Sequence, residues 1–149
     1  MDNPIIVVDK LNELLEKNND ARFGFESAAE NVNWSSLKKF FHDKSTQRSQ
    51  FANELVQEIM RLGGSSPNES GSVAGFLHRN WIGLKAALSS DNEEAVLEAC
   101  TTGENAALED YDNVLLDTNL QLQTRQLLEK HRNSIAQSVG KIERISEAL

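Results

Sequence analysis

The sequence predicts an all-α protein, a four-helix bundle with a long, partly helical crossover between its second and third long helices. Apolar residues recur in steps of three and four over long stretches, which is the period of an amphipathic helix. Only 2 Pro and 8 Gly occur in 149 residues, so long helices can continue without interruption. The predicted helices are separated by short breaks, except for residues 63–90. These three observations define the predicted architecture.

The first two helices are predicted over about residues 4–32 and 35–62. Pro4 suits the first position of a helix, and the glycines after residue 62 suit the end of one. So short a connection makes the two helices antiparallel neighbours. The apolar stripe of the first helix comprises Val7, Leu11, Leu14, Asn18, Ala21, Phe25, Ala28 and Val32.

A shorter helix is predicted over about 72–88, and two further long helices over about 92–115 and 119–148. The stretch from 63 to 90 is long enough to travel the length of a bundle. A four-helix bundle with one long crossover has the ferritin-like topology, in which the second and third long helices are parallel. We therefore predict one domain over residues 1–149 with this topology.

A polar residue interrupts each apolar stripe near the middle of its helix. These residues are Asn18, Arg48, Glu104 and His131, which fall at similar heights in a bundle of helices of similar length. A buried charge needs a partner because desolvation costs several kcal/mol. We therefore predict a buried mid-bundle layer in which Arg48 pairs with Glu104, and His131 and Asn18 complete the hydrogen bonds.

Ferritin-like enzymes hold two metal ions at this height, using a Glu from two helices and Glu-x-x-His from the other two. The sequence contains no Glu-x-x-His. On the second helix Arg48 stands where the Glu of such a motif is expected, and its guanidinium supplies the positive charge of a metal. The favoured interpretation is a structural salt-bridge layer, a degenerate di-iron site with no metal. The alternative is a non-standard metal site that uses Glu104 and His131, with Glu26 or Glu98.

The chain resembles a bacterial family of ferritin-like four-helix-bundle proteins of unknown function. The resemblance implies a ferritin-like fold in a cytoplasmic bacterial protein, and it carries over no catalytic residues. The residues that carry it are Arg48-x-x-Phe51-Ala52-x-Glu54-Leu55, Leu62-Gly63-Gly64, Gly71-Ser72-x-x-Gly75-x-Leu77-His78-Arg79-x-Trp81 and Gly103-Glu104-x-Ala106-Ala107-x-x-x-Tyr111.

The net charge of −8 argues against nucleic acid or an anionic membrane as a partner. The acidic charge is concentrated: no Lys or Arg occurs between Ala86 and Thr124, a stretch that holds nine Asp and Glu residues. This stretch forms either a solvated acidic helix face or a docking surface for a cationic partner. The single cysteine, Cys100, fits a reducing compartment.

Two functions follow from the sequence. The first is a non-enzymatic bundle without a cofactor, which acts through self-association or contacts with a protein partner, in stress physiology. Self-association is expected because Trp34, Phe40, Phe76 and Trp81 add more bulky apolar surface than one small bundle hides. The alternative is a metal-binding ferritin-like protein that uses the non-standard mid-bundle site.

Overall fold

The computed structural model describes residues 4–66, 81–90 and 92–148, and this part of the chain is helical with no strand. Four of its helices are long and one is short. They are α1 (Pro4–Asn31), α2 (Ser35–Arg61), α3 (Ile82–Ser89), α4 (Glu93–Leu115) and α5 (Leu122–Ala148).

Ion pairs between α1 and α4 show that these helices are antiparallel. Lys10 pairs with Asp117 at 3.4 Å, and Lys17 approaches Asp110 at 4.0 Å, so residue numbers rise along one helix as they fall along the other.

Helix α2 is also antiparallel to α1, and α2 and α4 are therefore parallel to each other. Asn18 bonds to Arg48, while Phe25, two turns later on α1, stacks against Phe41 with ring centroids 6.2 Å apart. A tight turn between α2 and α4 cannot produce parallel helices, so the connection must cross the bundle. The predicted ferritin-like topology is confirmed.

The observed helices begin and end close to the predicted bounds, with one larger difference. Helix α1 ends one residue before the predicted 32, α2 one before 62, and α4 starts one after 92, where Asn92 is the N-cap and accepts a bond from Ala95 N. Helix α5 begins at Leu122 rather than at 119. The first part of the predicted helix 72–88 lies outside the described residues, and α3 ends at Ser89.

The late start of α5 has a local cause in the turn that precedes it. The side chain of Asp117 accepts a hydrogen bond from the backbone N–H of Asn119 at 2.9 Å, and Arg125 donates to the carbonyls of Leu115 and Asp117. These bonds stabilise a non-helical turn and compete with a first helical turn at this position.

The end of α2 follows the predicted glycine chemistry. Gly63 has φ 86°, the left-handed conformation that glycine adopts without a steric penalty. Gly63 N–H donates to Met60 O at 3.0 Å, and Gly64 N–H donates to Ile59 O at 2.9 Å. This pair of bonds is the Schellman motif, and it satisfies carbonyls that the helix end leaves free.

The buried apolar residues form two clusters along the bundle axis. One contains Leu11, Leu55 and Tyr111, and the other contains Phe25 and Phe41, among others. Seven buried polar residues lie at the boundary between the clusters: Asn18, Asn19, Asp20, Ser45, Arg48, Glu104 and Ser138. Glu58, Thr124 and His131 are buried instead among residues of the first cluster. The bundle therefore has a polar layer between two dry cores.

Trp81 enters the bundle next to α3 and packs between α1 and α4. It is only 4% exposed, and its ring meets Phe25 edge-on at 5.2 Å. A Cβ added at Gly24 or Gly103 would lie 2.5 Å from the Trp81 ring, so the small size of both glycines makes room for the indole. The two glycines explain how the connection is fixed to the bundle.

The apolar residues expected to remain on the surface divide into two groups. Trp34 is 47% exposed, but Phe40 and Trp81 are buried, so the expectation was wrong for these two residues. Phe76 lies outside the described residues. Other large apolar side chains are exposed instead: Ile5, Ile6, Met60, Leu116 and Leu122. In the described part of the chain, no helix is both long and apolar enough to cross a membrane.

Candidate functional site

The structure buries all four residues predicted for the mid-bundle layer. Asn18 on α1, Arg48 on α2, Glu104 on α4 and His131 on α5 each have no exposed surface. Each occupies a position in the apolar stripe of its helix, so the same periodicity that buries the neighbouring Leu and Phe residues also buries the polar residue. Three of the four, Asn18, Arg48 and Glu104, are linked by hydrogen bonds in the polar layer, and His131 lies outside it.

Arg48 and Glu104 form an ion pair inside the bundle. The Arg48 Nη2 atom donates to Glu104 Oε1, and Nη1 donates to Asn18 Oδ1 at 3.4 Å. The other carboxylate oxygen of Glu104 and the Nε atom of Arg48 are buried without a hydrogen-bond partner, as is Ser138 Oγ. The pair is thus neutral overall but only partly satisfied by hydrogen bonds.

His131 does not join the Arg48–Glu104 pair as predicted. Its hydrogen-bond partners are Tyr111 and Glu54. The antiparallel packing of α4 and α5, marked by the Tyr111–His131 contact, brings Ser138 rather than His131 to the height of Glu104. The prediction for His131 was wrong because it assumed that the middles of all four helices lie at the same height. The turn before α5 instead sets the register of α5 against α4.

A directed line of hydrogen bonds connects the ion pair to His131. Asn18 Nδ2 donates to Tyr111 Oη at 2.8 Å and also to Leu14 O at 2.8 Å. Because the amide donates to the phenol, the Tyr111 hydroxyl is free to donate to His131 Nδ1, 2.9 Å away. The proton of the neutral imidazole is then on Nε2.

The line ends at the surface of the bundle. His131 Nε2 lies 3.0 Å from Glu54 Oε1, and Lys130 Nζ donates to Glu54 Oε2 at 2.7 Å. Glu54 is about one-third exposed, and the His131 ring stacks on Phe51 with centroids 3.9 Å apart. The polar groups therefore run without a break from the buried Glu104 to solvent.

Burial controls the ionisation of this line. It lowers the pKa of His131 to about 4, although the hydrogen bond from the ring to Glu54 opposes this shift. It also raises the pKa of the Tyr111 phenol. Burial tends to raise the pKa of Glu54, but hydrogen bonds from Lys130 and His131 outweigh it and lower the pKa below its usual value. At neutral pH the imidazole and phenol are therefore uncharged and Glu54 is ionised.

A second buried polar group, Asp20, lies on α1 next to the layer. It is 1% exposed, and neither of its carboxyl oxygens has a hydrogen-bond partner among the residues that the structure describes. Burial raises its pKa to about 7; the charge of Glu16 adds to the shift, and Lys17 opposes it. At neutral pH Asp20 is therefore close to half-protonated in the folded protein, whereas an exposed aspartate is ionised.

The residues named for the alternative metal site do not come together. Glu26 and Glu98 are exposed, Glu104 is engaged by Arg48, and both ring nitrogens of His131 have partners. Within residues 4–66, 81–90 and 92–148, no group of three or more His, Cys, Asp or Glu side chains is placed to hold a metal ion. Metal ligation at this layer would therefore need a rearrangement of the hydrogen bonds.

Sequence reasoning assigned no role to Tyr111 or Glu54, although both belong to the motifs that carry the family resemblance. Tyr111 lies seven residues after Glu104, two turns along the same face of α4, and this spacing places it beneath the charge. Glu54 immediately precedes the buried Leu55, which puts it at the margin of the apolar stripe. These spacings are the signals from which both residues could have been found.

Comparison with family models matches residues 6–117 to a domain of unknown function, DUF2383. The chain belongs to the DUF2383 family. This family's model therefore includes Asn18, Arg48, Glu54, Glu104 and Tyr111, but not His131. A comparison with curated protein sequences finds no significant match.

Solved structures that resemble this DUF2383 protein are ferritin-like. A mutant of Dps1 from Mycobacterium smegmatis has a TM-score of 0.78 at 17% identity, covering 98% of this chain and 99% of that one. The bacterioferritin-related protein of Bacteroides fragilis, described as a dodecameric thioferritin, has a TM-score of 0.62 at 16% identity, covering 99% and 92%. At these identities the similarity establishes the ferritin-like fold.

Proposed function

We propose that this DUF2383 protein is a non-catalytic ferritin-like bundle that acts through self-association, as a structural or protein-binding unit in the bacterial cytoplasm. The observation that carries the proposal is the buried Arg48–Glu104 ion pair at the height where ferritin-like enzymes hold metal ions. A role in stress physiology belongs to the same proposal.

The ion pair supports a non-catalytic role through electrostatics. Di-iron sites gather carboxylates because these anions neutralise the metal charge. Here Glu104 is already paired with the positively charged guanidinium of Arg48. A divalent cation in the same place would meet the positive charge of Arg48 at close range, which is unfavourable in a buried site.

Self-association is supported by the surface of the bundle. Ile5, Met60, Leu116 and Leu122 are each more than 60% exposed. All four lie at the end of the bundle that holds the start of α1 and the turn between α4 and α5, and exposed apolar surface at one place is typical of interaction sites. The thioferritin that shares the fold is described as dodecameric, so bundles of this kind are compatible with closed assemblies.

The non-catalytic part of the proposal is tested by metal analysis. We expect the purified protein to contain no stoichiometric iron, manganese or zinc, and titration with each ion to leave its melting temperature unchanged. The Arg48→Met variant, which lacks the guanidinium, is analysed and titrated with the same ions for comparison with the wild type. Stoichiometric metal in the wild type that is lost in Glu104→Gln would support the metal-binding alternative instead.

The self-association part is tested by sedimentation velocity across a range of micromolar concentrations. We expect a species larger than the single chain, whose proportion rises with concentration. A single monomeric species throughout that range would contradict the proposal.

A further inference from the structure

An apolar groove with a basic rim lies between the first turns of α2 and the last turns of α5. It has a volume of about 450 Å³, and its floor is formed by Leu37, Phe40 and Ile145. Trp34 borders it with 47% of its surface exposed, and its edge carries Lys141 together with Lys39, which pairs with Asp43 at 2.9 Å. We call this surface the lysine groove. It combines an exposed aromatic anchor with positive charge, the composition that favours binding of a partner with acidic side chains.

A second groove lies on the opposite side of the α5 end, between α5 and the start of α4. It has a volume of about 350 Å³ and is lined by Glu94, Glu98, Glu143 and Glu147. All four are exposed, and none of them takes part in an ion pair within the described chain. We call this surface the glutamate groove.

The glutamate groove contains an electrostatic conflict that a partner would relieve. Glu94 and Glu98 are four residues apart on α4, and so are Glu143 and Glu147 on α5. Like charges at this spacing destabilise a helix by a few tenths of a kcal/mol per pair. Here the two pairs also face each other across the groove.

The same end of α5 separates the two grooves and carries opposite charge on its two flanks. Lys141 lines the lysine groove and Arg144 is exposed three residues further along the helix, while Glu143 and Glu147 line the glutamate groove. A helix separates residues 141 and 143 by 200°, so this segregation follows directly from the sequence. The two surfaces are therefore complementary and are presented in different directions.

We propose that the glutamate groove of one copy of the chain docks onto the lysine groove of a second copy. This inference rests on the proposed self-association and assigns it a contact at the end of the bundle opposite to the exposed apolar residues Ile5, Met60, Leu116 and Leu122. The contact is heterologous, because it joins two different patches, and a pair of subunits keeps one free patch of each kind for the next subunits. Repetition of the contact closes a ring when the rotation between subunits permits it and otherwise extends a filament.

Charge reversal tests the proposal by sedimentation velocity and light scattering on the full chain. We expect Lys141→Glu with Arg144→Glu, and separately Glu98→Lys with Glu143→Lys, to weaken association by about tenfold or more, because like charges then face each other. Raising NaCl from about 50 to about 500 mM should weaken the wild-type contact through screening.

Matched controls use exposed residues away from both grooves. Lys85→Glu on α3 and Glu109→Lys on α4 each reverse one charge, and neither should change the association constant. Circular dichroism of every variant checks that the helices are retained. The decisive measurement is rescue: mixing the two double variants pairs each altered groove with a complementary one, and assemblies should form again.

The outcomes separate this inference from the proposed function. If the wild type is monomeric, both are overturned. If the wild type assembles and the reversed variants assemble equally well, self-association stands and the groove pairing is overturned. If Lys141→Glu with Arg144→Glu has no effect but Glu98→Lys with Glu143→Lys does, the glutamate groove binds something other than the lysine groove, and the pairing is again overturned.

Discussion

At the scale of single residues, the Arg48–Glu104 pair determines the character of the mid-bundle layer. Both residues are fully buried, so each has lost the hydration that stabilises an isolated charge. The attraction between them offsets that loss only while both are present. One oxygen of Glu104 and the Nε of Arg48 also lack hydrogen-bond partners, which lowers the net benefit of the pair.

We therefore expect Glu104→Ala to lower the free energy of unfolding by about 3–5 kcal/mol, because it leaves the charge of Arg48 buried and alone. The double variant Arg48→Met with Glu104→Leu should recover most of that loss, since it removes both desolvation costs and the unpaired polar atoms. Urea denaturation followed by circular dichroism measures both values. Equal destabilisation in the single and double variants would contradict this account.

Tyr111 connects the ion pair to His131, and its hydroxyl both accepts and donates a hydrogen bond. We expect Tyr111→Phe to lower the free energy of unfolding by about 1–3 kcal/mol. His131 Nδ1 then loses the hydroxyl that donates to it, and the buried side-chain amide of Asn18 loses one hydrogen-bond acceptor. Denaturant unfolding measures the cost. Tyr111→Phe combined with Asn18→Leu tests the coupling: if the two losses simply add, the residues do not act as a unit.

The burial of Asn18, Arg48, Glu104 and His131 could be predicted from sequence because burial depends on position in a helical stripe. Their partners were harder to predict, since partners depend on the relative register of two helices. A shift of two turns exchanges Ser138 for His131 opposite Glu104. The turn at Asp117 and Asn119 determines that register through side-chain bonds that periodicity does not encode.

At the scale of secondary-structure elements, the crossover is fixed to the bundle by Trp81. The indole lies against the backbone of α1 and α4 at Gly24 and Gly103. Glycine in a helix interior lowers helix stability by about 1 kcal/mol relative to alanine. Each of the two glycines therefore makes its own helix intrinsically less stable while leaving room for the ring. The burial of Trp81 offsets this cost because an aromatic side chain removes a large apolar area from water.

Gly103→Ala should therefore destabilise the protein by about 1–3 kcal/mol, despite the higher helix propensity of alanine, since its Cβ would lie 2.5 Å from the Trp81 ring. The matched control is Gly83→Ala on α3, where nothing lies within 4 Å of the added Cβ, and which should be neutral or stabilising. In a Trp34→Phe background, Trp81 fluorescence reports the displacement as a red shift. A stabilised Gly103→Ala protein would show that Trp81 moves without cost.

At the scale of the whole molecule, the topology was predictable because it depends on the length of a connection, which can be counted in the sequence.

The burial of Asp20 was not predictable, because this residue lies outside the apolar stripe of α1. Helix α1 contacts α2, α3 and α4, so it is buried over a wider arc than one stripe. The sequence pattern reveals only the arc that faces the centre of the bundle.

Asp20 and His131 give the folded molecule two opposite responses to pH. Between about pH 4 and pH 6.5 the unfolded chain protonates His131 while the folded chain does not, so this residue makes stability rise with pH. Between pH 3.8 and about pH 7 the folded chain keeps Asp20 protonated while the unfolded chain does not, so this residue makes stability fall as pH rises. Across their shared range the two contributions oppose each other and nearly cancel.

Asp20→Asn should remove the contribution of Asp20 to the pH dependence of stability and leave that of His131. We expect the variant to gain roughly 4 kcal/mol over the wild type at pH 8, where the wild-type carboxyl must ionise inside the protein, and to gain little at pH 4. Asp9→Asn, at an exposed position of the same helix, is the matched control and should follow the wild type. Urea denaturation at intervals from pH 4 to pH 8 gives the difference curve, which should rise through this range. A difference that does not vary with pH would mean that Asp20 has the same ionisation in the folded and unfolded chains, and that its carboxyl finds a partner or water when charged.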